Sequence, residues 1–291
     1  MSLHPQYARP RSAAQAVEVL GNLGAGAVVI AGGQELMPHV NYGRLMPTVY
    51  VDIAALPELA GITEKDGEVA IGALTVHRTL QRDAIVQRAL PLLAHAAAQV
   101  GGGWQVHNRG TVGGNLVAMH PLYDIAPVLL ALQADVEIQA PEGVRRAALG
   151  KILAETSHGL GTSSLLTRIL LKPMQPDAGW AYEKLKITAG SYGSANAAAV
   201  VSLTGNKLST LRVVIGAVSE QPLDASEALH GLLGKPWDAV AGARVESLCS
   251  ASPKTLLDDQ QGDATWRRAM AGVVARRAVQ AAVANAQRTN K

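Results

Sequence analysis

Asn108-Arg-Gly-Thr-Val-Gly-Gly-Asn115 is the stretch on which the fold turns. A hydroxyl, two adjacent glycines and a carboxamide stand together in it, so side chains and backbone both offer donors to the oxygens of one anion. About 80 residues upstream a second glycine pair follows an apolar run. Ala27-Val-Val-Ile30 reads as a buried strand, and it leads straight into Ala31-Gly-Gly-Gln-Glu35. Adjacent glycines let the backbone turn sharply and bring N–H groups to one point with no Cβ in the way. Such a nest suits the two negative charges of a pyrophosphate. Taken alone, each motif is better explained as a tight turn, because glycine is the commonest turn residue. Arg109 taken alone reads as one half of a surface ion pair. Asp124 taken alone reads as a carboxylate at a helix start, favoured by the helix dipole.

Outward from these motifs the pattern alternates helix and strand. Ser12-Ala-Ala-Gln15 predicts a capping box that opens a helix running to about Leu23. Thr48 to Asp52 predicts a strand, and Ile62 to Ile71 a hairpin turned by Asp66-Gly67. Leu80 to Val100 is helical and alanine-rich, with Pro91 as an interruption or new first turn, and Gly101-Gly-Gly103 ends it. A helix from Asp124 to Leu132 and a strand from Ala134 to Gln139 come next. Pro173 to Gly179 is polar and proline-rich, which predicts a domain boundary there. Beyond it Tyr182 to Lys186, Ala195 to Leu203 and Leu211 to Val218 predict a sheet with helices packed on it. Trp266 to Gln287 predicts a long helix, with arginines on one side and Met270, Val273, Val274 and Val279 for burial.

Composition excludes several classes. The 291 residues suffice for one large domain or two modest ones, and 48% hydrophobic against 17% charged is an ordinary globular balance. Phenylalanine is absent, so Leu, Val, Ala and Ile with a few Tyr and Trp must fill the core. A net charge of +3 without a basic stripe gives no support to nucleic-acid binding. No stretch is apolar enough for a transmembrane segment, and the start lacks the pattern of a secretory signal, so a cytoplasmic location is expected. Cys249 is the single cysteine; one thiol forms no internal disulfide and cannot ligate an iron–sulfur cluster. The eight histidines, His158 among them, show no metal-ligand spacing. Gly231-Leu-Leu-Gly234-Lys235 has the wrong spacing for a P-loop, and Gly159-Leu-Gly161 lacks the third glycine of a dinucleotide fingerprint. No serine stands in a nucleophile elbow, so hydrolase chemistry has no support.

The two glycine motifs in this order, together with two later segments, resemble the flavin subunits of molybdenum hydroxylases, the family of carbon monoxide dehydrogenase and xanthine dehydrogenase. The later segments are Tyr182-Glu-Lys-Leu185 and Trp266-Arg-Arg…Ala271-Gly-Val273…Arg276-Arg-Ala278. The resemblance spans nearly the whole chain. It implies an α+β fold: an FAD-binding domain of the vanillyl-alcohol oxidase type over residues 1–175, with subdomains of about 1–55 and 56–175, and a smaller α+β domain over 176–291. It implies that Ile30, Ala31, Gly32, Gly33, Gln34, Glu35 and Leu36, with Thr111, Val112, Gly113, Gly114 and Asn115, hold the FAD pyrophosphate. It further assigns FAD contacts to Gly101, Asp124, Leu165 and Lys184.

This chain departs from the family pattern at two of these positions. Glu35 stands where relatives carry a small hydroxyl residue; a carboxylate beside a pyrophosphate is repelled, so Glu35 is expected to point away. Gly101 stands where some relatives carry an aromatic, which leaves a backbone contact only. The implied role is electron transfer: from molybdopterin on a large subunit, through 2Fe-2S clusters on a small subunit, to FAD here, and on to an external acceptor. No catalytic side chain is expected, since the flavin carries the redox chemistry. A dimer of heterotrimers is the implied assembly. Two other classes stay open: a free-standing FAD reductase using NAD(P)H, for which no substrate-side acid or base is apparent, and a flavin-free structural subunit.

Overall fold

The computed structural model describes residues 5–155, 160, 163–188 and 190–289. His4, His158 and the Gly159–Gly161 pair lie outside the described residues. In chain order the elements are β1 (Gln6–Ala8), α1 (Ala13–Leu23), β2 (Ala27–Ile30), α2 (Leu36–Asn41), β3 (Val49–Asp52), β4 (Ile62–Lys65) and β5 (Glu68–Gly72). Then come α3 (His77–Arg82), α4 (Ala84–Ala89), α5 (Pro91–Gln99), α6 (Gly103–Arg109), α7 (Val112–Val117) and α8 (Ile125–Ala131). β6 (Asp135–Ala140), β7 (Gly143–Ala148), α9 (Leu149–Glu155) and β8 (Leu165–Leu171) follow. The chain continues with β9 (Gly179–Leu185), β10 (Ala195–Thr204), β11 (Lys207–Gly216), β12 (Leu223–Asp224), α10 (Ala239–Ala251) and α11 (Ala264–Thr289). The mixture of separate helices and sheets is the expected α+β class.

The chain forms two compact units, and it passes back and forth between them. The first unit comprises Met1–Gln87, Gly103–Met119 and Gln133–Lys172. It holds a small parallel sheet of order β1-β3-β2 and a five-stranded antiparallel sheet of order β4-β5-β8-β6-β7. The helix α1 is capped as its sequence predicts: Ser12 Oγ accepts from the Gln15 N–H at 3.1 Å, and Gln15 reaches back to the Arg11 N–H. Its buried stripe of Ala13, Ala16, Val17 and Leu20 packs with Val51, Ile53, Leu56, Leu59 and Leu165. The β4–β5 hairpin turns at Asp66 and Gly67, both with positive φ, as a two-residue hairpin requires.

The second unit comprises Arg88–Gly102, His120–Leu132 and Pro173–Lys291. Its antiparallel sheet, of order β12-β11-β10-β9, is covered on both faces. The odd-numbered positions Ala195, Ala197, Ala199 and Val201 of β10 pack toward Val274, Ala278, Val279 and Ala282 of α11, with α10 lying on α11. The opposite face takes α5 and α8. A strand buried on both faces reads as a continuous apolar run rather than an alternating one, which is the pattern of β10.

Two expectations need correction. The helical stretch from Leu80 to Val100 is three short helices, α3, α4 and α5. Asp83 leaves the helical conformation and its Oδ1 accepts from the N–H groups of Ile85 and Val86, which ends one helix and caps the next. The arginines of the last helix do not all share a solvated side. Arg267 is fully buried and donates to the carbonyls of Ser194, Ala217 and Gly262 and to Asp259. Val273 is half-buried where Val274 and Val279 are wholly inside. Cys249 is buried on α10, and burial pushes its thiol up to about 12.

Candidate cofactor site

In the first unit the two glycine motifs meet. The chain leaves β2, turns through Ala31 to Glu35 and enters α2, whose Met37 N–H donates to the Gly33 carbonyl at 3.1 Å. Gly33 takes φ +71°, a region that side chains disfavour. Gly32 lies so close to the second motif that a β-carbon on it would overlap the Arg109 carbonyl oxygen and approach the Gly110 Cα to 3.4 Å. Only a glycine permits this approach. Ala31 to Leu36 are half-exposed, so the loop is open to a ligand.

The second motif begins where α6 ends. Thr111 caps α7: its Oγ1 accepts from the Gly114 N–H at 3.1 Å, and its carbonyl accepts from Asn115 N–H at 2.9 Å. Val112 and Gly113 donate their N–H groups to the carbonyls of Thr75 and Ala73 at 2.8 and 2.9 Å. A β-carbon on Gly113 would stand 2.6 Å from that of Ala73. The backbone donors of Val112, Gly113 and Gly114 are therefore used inside the protein. The Thr111 hydroxyl proton and the Asn115 carboxamide are the donors left on this loop. Asn115 buries its Oδ1 without a partner among the described residues; that oxygen is an acceptor, so an anion would be met by the carboxamide N–H groups and not by it. On the first loop no protein acceptor for the backbone N–H of Gly33 or Gln34 occurs among the described residues. Glu35 is turned to His39, one helical turn on, with Oε1 3.0 Å from Nε2. A cradle that needs glycine, with uncommitted neutral donors and its one carboxylate engaged elsewhere, fits a pyrophosphate.

The second unit brings together three other positions singled out in the sequence. Lys184, on β9, puts Nζ 2.9 Å from both carboxylate oxygens of Asp124 and 3.0 Å from the Gln99 carbonyl. Tyr182, two residues before it on the same face, donates its hydroxyl to Asp124 Oδ1 at 2.5 Å. Asp124 begins α8, but its side chain caps nothing; it faces the sheet. Burial raises the Asp124 carboxyl above its usual range, while the Lys184 ammonium and the Tyr182 hydroxyl pull it down. Tyr182 is held well above its ordinary range by burial and by the Asp124 charge, so it stays a donor. Two residues beyond Gln99, a β-carbon on Gly101 would come within 3.1 and 3.2 Å of the Gly190 and Ser191 carbonyl oxygens, so any side chain there requires these carbonyls to shift by a few tenths of an ångström.

Leu165 is in the first unit, buried in the α1 core at the start of β8, where its side chain serves packing and its backbone lies in register with Gln139 of β6. The segment from Ala73 to His77, which braces the second motif, gave no sign of that role in the sequence. Its contribution is mostly backbone carbonyls, and these have no residue-type signature. Among the described residues no helix is long and apolar enough to cross a membrane.

An α+β chain that presses a glycine loop between a strand and a short helix against a second glycine loop between two helices has a cradle fit for the pyrophosphate of a nucleotide. The family described as the FAD binding domain in molybdopterin dehydrogenase matches residues 3–173, and the CO dehydrogenase flavoprotein C-terminal domain matches residues 180–282. The carbon monoxide dehydrogenase medium chain of Hydrogenophaga pseudoflava is 36% identical, over 95% of this chain and 96% of that one. The medium chain from Afipia carboxidovorans is 34% identical over 97% of each. A solved chain from the Hydrogenophaga pseudoflava carbon monoxide dehydrogenase, in a form lacking the Mo-pyranopterin moiety of the molybdenum cofactor, matches with a TM-score of 0.93 at 34% identity. That match covers 98% of this chain and 99% of the other. The chain belongs to the FAD-binding medium-subunit family of molybdenum hydroxylase-type dehydrogenases, which are oxidoreductases.

Proposed function

We propose that this chain binds FAD without a covalent link and relays electrons from 2Fe-2S clusters on a small partner subunit to an external acceptor. A large molybdopterin subunit completes the complex, as a dimer of heterotrimers in the cytoplasm. The carrying observation is the pair of glycine loops pressed together at Gly32 and Arg109, with the Gly33 and Gln34 N–H groups uncommitted on one side of that contact and the Thr111 hydroxyl proton on the other. The pyrophosphate is held by the loop from Ile30 to Leu36 and by Thr111 to Asn115, of which Thr111 and Asn115 contribute side chains. Glu35, engaged with His39, contributes backbone alone. In the second unit the contacts assigned to Gly101, Asp124 and Lys184 follow the family pattern, as does that of Leu165 in the first. Because Lys184 and Asp124 neutralise each other, they offer hydrogen bonds rather than a net charge. We place the division between the FAD-binding and C-terminal domains near residue 175. FAD supplies the redox chemistry when bound; the chain holds it and sets its surroundings.

The test is cofactor content. Acid precipitation of the native protein should release FAD into the supernatant at close to one per chain. Flavin retained in the pellet, FMN in its place, or no flavin overturns the proposal.

A further inference from the structure

The segment from Ala73 to His77 runs antiparallel along Gly110 to Gly113 in the first unit. Val76 bridges Thr111, the His77 N–H donates to the Gly110 carbonyl at 3.1 Å, and the Thr75 and Ala73 carbonyls take the next donors. The His77 imidazole is 1% exposed. A β-carbon on Gly110 would stand 3.1 Å from its Cδ2 and 3.3 Å from its Nε2, so the ring fills the space beside that glycine. One residue earlier, Arg109 presents the carbonyl against which Gly32 rests. The two-residue turn Arg109–Gly110 thus touches the first glycine loop on one residue and His77 on the next.

His77 Nδ1 is buried without a hydrogen-bond partner among the described residues. Burial, and the nearby His107, push the ring down to about 4, so it is neutral around pH 7. A buried polar atom without a partner is destabilising, and an apolar ring of the same outline would avoid that loss.

We infer that His77 is a positioning residue for FAD: its flat ring braces the Arg109–Gly110 turn and, through it, keeps the two glycine loops at the spacing a pyrophosphate requires. This rests on the reading that those loops bind the pyrophosphate.

The experiment is titration of the flavin-free full chain with FAD, and separately with ADP, which carries a pyrophosphate but no isoalloxazine. In His77→Ala the dissociation constants for both should rise by the same factor, at least about tenfold. His77→Phe keeps a flat ring without the unpaired nitrogen. It should bind both ligands within about threefold of wild type and melt at a higher temperature in the flavin-free form. Wild-type affinity in folded His77→Ala overturns the inference, as does a loss in His77→Phe equal to that in His77→Ala. A loss for FAD with none for ADP also overturns it. Should His77→Ala fail to fold, His77→Asn, too short to reach Gly110, takes its place with the same expected loss. Failure of the wild-type chain to bind FAD at all would strike the proposed function instead.

Discussion

Gly32 and Gly231 are the same residue in opposite settings. A β-carbon at Gly231 would meet nothing within 4 Å, whereas one at Gly32 would overlap the Arg109 carbonyl oxygen. Gly32→Ala must therefore move one loop off the other. It should reduce bound FAD to less than about a tenth of wild type, because separating the donors forfeits several hydrogen bonds to one ligand group. Gly231→Ala should leave flavin content unchanged. Flavin absorbance per chain, beside a circular dichroism spectrum, reads both; equal flavin in the two variants would remove the Gly32 contact from the site. At this scale the glycine pairs were legible in the sequence, because glycine is the residue type a close approach demands. What they approach was not. The Arg109 and Ala73 carbonyls belong to the backbone, which is the same at every position.

Among the elements, α11 adds to its apolar packing a buried cation. Arg267 donates to Ser194 O at 2.9 Å and Gly262 O at 3.0 Å, and also to Ala217 O and Asp259. Its neighbour Arg268 is exposed, with longer contacts of 3.3 and 3.5 Å to the Pro253 and Ser250 carbonyls. Arg267→Met leaves buried acceptors unmet and should lower unfolding stability by about 3 kcal/mol or more, whereas Arg268→Met should change it by less than about 1 kcal/mol. Urea unfolding of the two variants decides; similar midpoints would mean that the guanidinium is not a fastener. The helix itself was readable from its periodicity, but the burial of Arg267 was not, since arginine is almost always at the surface. Capping chemistry was readable at Ser12, where a Gln stands three residues on. At Asp83 the surrounding apolar period continued through the break and hid it. Asp124 misled in the other direction: it opens a helix, as a capping residue would, yet spends both oxygens on Tyr182 and Lys184.

For the whole molecule the expected state is a complex. Cys249 alone cannot hold a cluster, and Tyr42, Met46, Trp104 and Val240 leave large apolar side chains exposed. Native material on size-exclusion chromatography with mass spectrometry should contain this chain together with a molybdopterin subunit and a 2Fe-2S subunit in equal amounts. A stable, fully flavinylated monomer that turns over a small substrate unaided would refute it. The passage of the chain between its two units, at residues 87–88, 102–103, 119–120, 132–133 and 172–173, bears on how it is made. A ribosome releases α5 and α8 early, but the sheet they cover is complete only with β12, about 90 residues after α8. At about 5–20 residues per second, α5 and α8 wait for several seconds without the sheet that they cover. Newly made chains should therefore lean on chaperones during that interval. A gene fusion that borrows only the segment after residue 173 would inherit a sheet with one bare side.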